Sequence, residues 1–370
     1  MKILVTGGMG FVGSHLVDAL VRLGHRVVVF DNLEKQVHGG RKPDYLNPDA
    51  RYRIGDVRNY AAFKKVLVDC DIVFHEAAMV GVGQSMYKIA HYIYSNDLGT
   101  ANLLDILVNH KNKVKKIVLA SSMSIYGEGM YRCKNCGEVT PGLRADSQLK
   151  KRKWEMRCPN CNLKVIPLPT PEHKILIPTS IYAMSKRHQE EVCLLVGKTY
   201  NIPTVALRYF NIYGPRQSLS NPYTGVCAIF ASTIKNNHRP IVYEDGLQSR
   251  DFINVKDIVR ANLLVMKDNR VDYQYFNVGT GQPKTILDIA DILIKLHGKD
   301  LKPKIVNAYR KGDIRHCFAD TSKLSKLGFK LSVDFEEGIK ELAEWQKYSS
   351  AKDKTALAQH ELYKKGLVIK

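Results

Sequence analysis

Tyr182 and Lys186 stand four residues apart in Tyr-Ala-Met-Ser-Lys, a spacing that puts a phenol and an ammonium on one face of a helix. A nearby ammonium, together with the positive ring of an oxidised hydride acceptor, would favour the phenolate, which predicts a tyrosine brought down from its ordinary value of about 10 toward the working range. Such a tyrosine can take a proton from a substrate hydroxyl as hydride leaves the carbon. Ser122, after the apolar run Lys116 to Leu119, is the side chain that would share that proton. The alternative is an ordinary surface tyrosine, because an isolated Tyr/Lys pair is common.

A second set predicts the hydride acceptor. Gly7, Gly10 and Gly13, with Phe11 and Val12 between the last two, follow a β-branched run and open a helical pattern. Glycines there allow a tight turn and close backbone approach, and the free N–H groups and positive end of the helix dipole favour a pyrophosphate. Asp31 ends the next apolar run 18 residues after Gly13, near the spacing of a ribose-binding acid. Its carboxylate would accept from both ribose hydroxyls and repel a 2′-phosphate, which selects NAD over NADP. Asn32 beside it, Asp56 and Val57 after the third strand, and Ala77 and Ala78 after the fourth complete the expected lining.

Four of the eight cysteines form two Cys-x-x-Cys pairs, Cys133/Cys136 and Cys158/Cys161, with 21 residues between them. That spacing suits a four-thiolate zinc site, closed to water and therefore structural. Two disulfides or an emptied site are the alternatives. Residues 128 to 170 carry nine basic and four acidic side chains, so the segment is read either as a lid over an anionic substrate or as a solvated ribbon without a catalytic role. Cys70, Cys193, Cys227 and Cys317 sit singly in apolar segments and read as buried small hydrophobes.

These residues need a scaffold. Lys2 to Val5, Arg26 to Phe30, Asp71 to Phe74, Lys116 to Leu119 and Val205 to Leu207 read as strands, and Ser14 to Leu23, Asn96 to Val108 and Ser185 to Val196 as helices. Alternation of this kind predicts an α/β, Rossmann-type doubly wound parallel sheet. The expected organisation is a NAD-binding domain over 1–127 and 171–210, a zinc-binding insertion over 128–170 without useful periodicity, and a smaller substrate lobe over 211–370 that returns some elements to the sheet. The 370 residues, 45% hydrophobic and 25% charged, suffice for a large core and exclude a disordered or fibrous chain. No apolar run reaches the roughly 18 residues of a membrane span. The opening MKILVTGG reads directly into a strand, without the regions of a secretory signal; the expected location is the cytoplasm. The net charge of +20 would attract any polyanion. The lysines are spread along the chain, however, and functional nucleic-acid binding is not expected.

TGGMGFVG, SSMSIYG and YAMSK, in that order, resemble the extended short-chain dehydrogenase/reductase family, and LRYFNIYGPRQ, RDFINVKDI, FNVGTG and RKGDIRHCFAD extend the resemblance over nearly the whole chain. It implies an isomerase acting on a nucleotide-diphosphate sugar, with Ser122, Tyr182 and Lys186 as its catalytic set. Tyr209 and Phe210 would line the nicotinamide pocket, Asn96 support the cofactor, and Ser124 and Asn211 meet the substrate. Arg250 would grip the diphosphate, and Arg310 with Asp313 would hold the diphosphate and the nucleoside ribose. The two long helices correspond to those that pair in the family's homodimers.

Within the family, dehydratases carry an acidic pair directly after the catalytic Ser or Thr, where this chain has Met123 and Ser124. Members that abstract a carbon-bound proton carry a cysteine two residues before the Tyr of SSMSIY, where Ser124 again stands. What is left is oxidation and return of hydride, usually at C4. DNLEKQVHGG, GVGQSM, SSMSIYGEG and the cysteine insertion resemble the dTDP-L-rhamnose 4-epimerase branch. That branch interconverts dTDP-L-rhamnose and dTDP-6-deoxy-L-talose, and apolar Met79, Val80 and Met123 are compatible with a C6 methyl. Val80 stands where the UDP-galactose type has a lysine. Another 4-epimerase, a 2-epimerase, a 4-reductase or dehydrogenase that releases its cofactor, and an RNA-binding protein on the same fold remain as alternatives.

Overall fold

The computed structural model describes residues 1–369. Seven strands form the central sheet: β1 (Lys2–Thr6), β2 (Arg26–Asp31), β3 (Arg51–Ile54), β4 (Ile72–His75), β5 (Lys116–Ser122), β6 (Thr204–Tyr209) and β7 (Gln274–Val278). All pair in parallel, in the order β7-β6-β5-β4-β1-β2-β3. The order reverses between β1 and β4, which opens a crevice at their carboxyl ends.

The central strands β1, β4, β5 and β6 are buried on both sides because helices cover both faces, whereas the edge strand β3, Arg-Tyr-Arg-Ile, is largely exposed. Ile3, Val5, Val27, Val29, Ile72, Phe74, Val118 and Ala120 face a core shared with the helices Phe11–Arg22 and Val255–Lys267. The residues between them, Leu4, Val28, Phe30, Val73, Ile117 and Leu119, face a second core with Phe63, Leu103, Leu107 and Cys193. Period two along the strands thus divides one sequence pattern between two layers. Cys70, Cys193, Cys227 and Cys317 are buried in these and neighbouring cores, as expected.

The helix expected over Asn96 to Val108 begins differently. Ile93–Leu98 is wound as a π-turn before the α-helix Gly99–Asn109; such turns accompany functional sites. The helix that carries Tyr182 and Lys186 starts earlier than expected, at Ile181, because Ser180 caps it by accepting from the Ala183 N–H at 3.1 Å.

Residues 211 onward build a lobe whose core joins Tyr213, Phe230, Phe252, Leu293 and Leu342, and they return β7 to the main sheet. The stretch between Gly127 and Pro171 holds three short antiparallel strands, Met130–Cys133, Gly137–Val139 and Val165–Leu168. Three- and four-residue strands are too short to register as alternation, which is why the sequence showed none. Tyr131, Val139, Met156 and Val165 pack beneath them. No helix among the described residues is long and apolar enough to cross a membrane.

Candidate active site

One cavity of about 620 Å³ lies along the carboxyl edge of the sheet, under the smaller lobe. At one end is the glycine turn. Gly7 has φ +66°, and a Cβ there would stand 2.9 Å from the Ala77 backbone; a Cβ on Gly13 would stand 2.4 Å from the Gly7 carbonyl oxygen. The turn therefore closes only with bare backbone. Gly10 caps the first helix without a side chain, so the N–H groups of Phe11, Val12 and Gly13 have no side-chain acceptor at the cavity wall. Asp31 accepts from the Met9 and Leu33 N–H groups at 3.0 and 2.8 Å. His38 Nε2 stands 3.7 Å from its carboxylate, and burial pushes that imidazole below the ordinary value against the attraction of Asp31 and Glu34. Asn32 donates to Asp56, and Asp56, Val57, Ala77 and Ala78 continue the wall. This donor and acceptor set fits NAD.

Further along, β5 ends on Ser122 and the helix Ile181–Thr199 presents Tyr182 and Lys186. Ser124 Oγ donates to Ser122 Oγ at 2.9 Å, and Lys186 Nζ donates to the Ala120 carbonyl at 2.7 Å. The expected lowering of the tyrosine does not arise from the protein alone. Burial pushes the Tyr182 phenol up, opposed by a hydrogen bond with Ser122, while the Lys186 ammonium is turned to Ala120. Burial also pushes Lys186 down to about 8, against the attraction of Glu76.

Glu76 is the group that sequence reading passed over. It follows β4 at the floor of the cavity and accepts from Tyr209 Oη at 3.0 Å, and Asn262 donates to the same Oη at 2.7 Å. Burial pushes its carboxyl up to about 7, against the Tyr209 hydrogen bond and the Lys186 charge. An acid directly after an otherwise apolar strand was the signal.

Asn96 is a correction. It is fully buried and outside the cavity wall: its Oδ1 accepts from the Met79 N–H, and its Nδ2 donates to Met79 O and Ser185 Oγ. Its amide ties the loop after β4 to the Tyr182 helix, and with no exposed surface it stands behind the cavity wall instead of on it. Tyr209, Phe210, Ser124, Asn211, Arg250, Arg310 and Asp313 all line the cavity. Asn211 Oδ1, Gln217 Oε1 and Gln248 Oε1, buried on that wall, have no partner in the protein, as groups awaiting a polar ligand would. Arg250 donates to the carbonyls of Ser249, Ile314 and Arg315 and so is a strut as well as a wall residue. Arg310 pairs with Asp313 at 2.7 Å over the Tyr243 ring. The C-terminal segment adds Ala358, Gln359, Leu362 and Leu367, which no motif announced. The four paired cysteines lie elsewhere, with their Sγ atoms within 4.8 Å of one another.

The NAD dependent epimerase/dehydratase family matches residues 3–141 and 166–279. The chain belongs to that family. This epimerase-family enzyme is 35% identical to the dTDP-L-rhamnose 4-epimerase of Burkholderia thailandensis, over 93% of the chain and 94% of the relative. It is also similar to the UDP-glucose 4-epimerase of Thermotoga maritima solved with UDP-glucose, at 30% identity and TM-score 0.77, covering 94% and 99% of the two chains. The Thermus thermophilus UDP-glucose 4-epimerase, solved with NAD, is 28% identical with TM-score 0.74, covering 95% and 100%. The break in the family match, 142–165, falls inside the cysteine insertion.

Two outcomes follow from this geometry. Gly13→Ala should abolish NAD retention, read as absorbance released on denaturing the purified protein; wild-type retention would mean that the turn does not face the cofactor. Because folding raises the Glu76 carboxyl, the stability it contributes is complete below the ordinary value of about 4.3 and is lost as pH rises through about 7. Melting temperatures of the wild type should therefore fall relative to Glu76→Gln across that window, and parallel curves would contradict the burial argument.

Proposed function

We propose that this enzyme is an NAD-dependent nucleotide-sugar 4-epimerase, with dTDP-L-rhamnose and dTDP-6-deoxy-L-talose as its substrate pair. The supporting observation is the company Tyr182 keeps. Ser122, Lys186 and the glycine turn share its cavity, whereas the positions after Ser122 hold Met123 and Ser124, neither of which can serve as the carbon-directed acid or base of a dehydratase. The wall near Tyr182 is apolar: Met79 packs with Tyr92 and Tyr182, and Met123 with Phe210. Such a wall suits a C6 methyl better than a carboxylate.

NAD, when bound by the glycine turn and Asp31, supplies reversible hydride acceptance. The chain does the rest. Tyr182 Oη takes the C4 hydroxyl proton as the carbon is oxidised, Ser122 Oγ holds the oxygen through its hydrogen bond, and Lys186 fixes positive charge beside them. The flat ketone must then turn before the proton is returned, so the contacts to the sugar ring have to be few, while the nucleotide stays anchored by Asn211, Arg310 and Asp313.

The cysteine cluster is assigned a structural zinc. A Zn–S bond of about 2.3 Å puts tetrahedral sulfurs roughly 3.8 Å apart; Cys133 and Cys161 are at 3.4 Å, beyond the roughly 2.05 Å of a disulfide. A homodimer is assigned to the face carrying Ile93, Tyr94, Leu98, Met184 and Leu195, large apolar side chains exposed on the two adjoining helices.

Proton NMR in deuterated water decides the function. Incubated with dTDP-L-rhamnose and, in parallel, UDP-galactose, the enzyme should invert C4 of the first without deuterium entering any carbon; label at C3 or C5 would overturn the mechanism, and turnover of UDP-galactose alone would overturn the substrate. Tyr182→Phe should retain NAD yet lose activity by a factor on the order of 10² or more. Cys133→Ser should lose zinc and melt earlier, with less effect on chemistry; full zinc content in that variant would refute the four-thiolate assignment.

A further inference from the structure

We propose that the cysteine-bearing insertion is a brace that sets the position of Arg310 and Asp313, with Arg144 and Trp154 as its positioning residues. The inference rests on the reading in which that pair meets the nucleotide-diphosphate part of the substrate. Arg310 and Asp313 belong to the loop 309–316, which enters the cavity wall between the lobe and the insertion. Such a loop offers two functional side chains to a ligand and needs its backbone held from behind.

The insertion holds it at Tyr309, Asp313, Arg315 and His316. The Trp154 ring packs on Tyr309, with centroids 6.5 Å apart, in a buried cluster with Leu149. Arg144 donates to the Asp313 carbonyl at 3.2 Å, to the Trp154 carbonyl at 2.9 Å and through both terminal nitrogens to Glu244 at 2.8 Å. Arg315, with 0% of its surface exposed, is shared among Glu155 of the insertion, Glu244 and Asp245. Glu128, at the root of the insertion, accepts from the Arg315 and His316 N–H groups at 2.7 Å each and from Tyr131 Oη at 2.6 Å.

The arrangement is selective. Tyr309, the Asp313 backbone, Arg315 and His316 are gripped by the insertion or by carboxylates it joins, while the side chains of Arg310 and Asp313 bond each other at 2.7 Å on the cavity wall. Arg144 and Arg315 are also buried cations in a nest of carboxylates, so their geometry is fixed by several partners at once. A solvated ribbon would show none of this. The two readings that the sequence left open, lid and inert ribbon, give way to a third in which the insertion touches the substrate loop from behind and never needs to cover the substrate.

The test compares Trp154→Ala, Trp154→Phe, Glu155→Gln and Arg310→Ala in the NAD-loaded enzyme, by titration calorimetry with dTDP and by steady-state kinetics. Trp154→Ala should weaken dTDP binding and raise KM on the order of ten- to a hundredfold, with kcat and NAD content close to wild type, and Trp154→Phe should recover most of the loss. Glu155→Gln, which keeps the shape and loosens Arg315, should shift binding in the same direction, and it decides the matter if Trp154→Ala does not fold. If Arg310→Ala weakens dTDP binding while folded Trp154→Ala and Glu155→Gln bind as wild type does, the brace is wrong and the site reading stands. If Arg310→Ala itself binds as wild type does, the reading of the loop falls and the brace falls with it.

Discussion

The carboxyl edge of a parallel sheet, opened where strand order reverses between β1 and β4, is the constraint on which the rest depends. Five adjoining strands deliver a group to that edge: β1 the glycine turn, β2 Asp31, β4 Glu76, β5 Ser122 and β6 Tyr209. Because the strands are hydrogen-bonded neighbours, these groups share one rigid frame. The crossover helix that follows β5 and precedes β6 then needs only a capped start at Ser180 to bring Tyr182 and Lys186 over the same crevice.

The π-turn at Ile93–Leu98 serves that frame. It turns Asn96 inward, where one side chain holds both backbone groups of Met79 and the Ser185 hydroxyl. The loop after β4, which carries the apolar wall, and the helix that carries Tyr182 are thereby fixed to each other. Around Tyr182 burial raises the phenol against its hydrogen bond with Ser122, and the positive charge of a bound nicotinamide would act in the opposite direction. Glu76 and Lys186 lie in the same buried pocket with their ordinary values pushed toward one another.

Much of this was legible in the sequence because its signals are local. Glycines at three-residue spacing, an acid at a strand end, and a phenol and ammonium one helical turn apart each carry their geometry with them, and the structure brings all of them but Asn96 to one cavity. Asn96 failed as a cofactor contact because nothing in its spacing discloses a π-turn. Arg250 was read as gripping a diphosphate, and only tertiary packing shows that it also donates to carbonyls of a loop 64 and 65 residues away. The insertion was the least legible part. Its strands are too short for periodicity, and its chief function in the fold, gripping loop 309–316 through Arg144, Trp154 and Glu155, links residues more than 150 positions apart.

The central claim is that one cavity removes a hydride from a sugar carbon and returns it to the same carbon without release. Substrate deuterated at C4 tests it directly, when turned over in the presence of excess unlabelled NADH. Deuterium should stay at C4 in both epimers at equilibrium. Washout of that label into the added cofactor pool, or its loss to water, would contradict it.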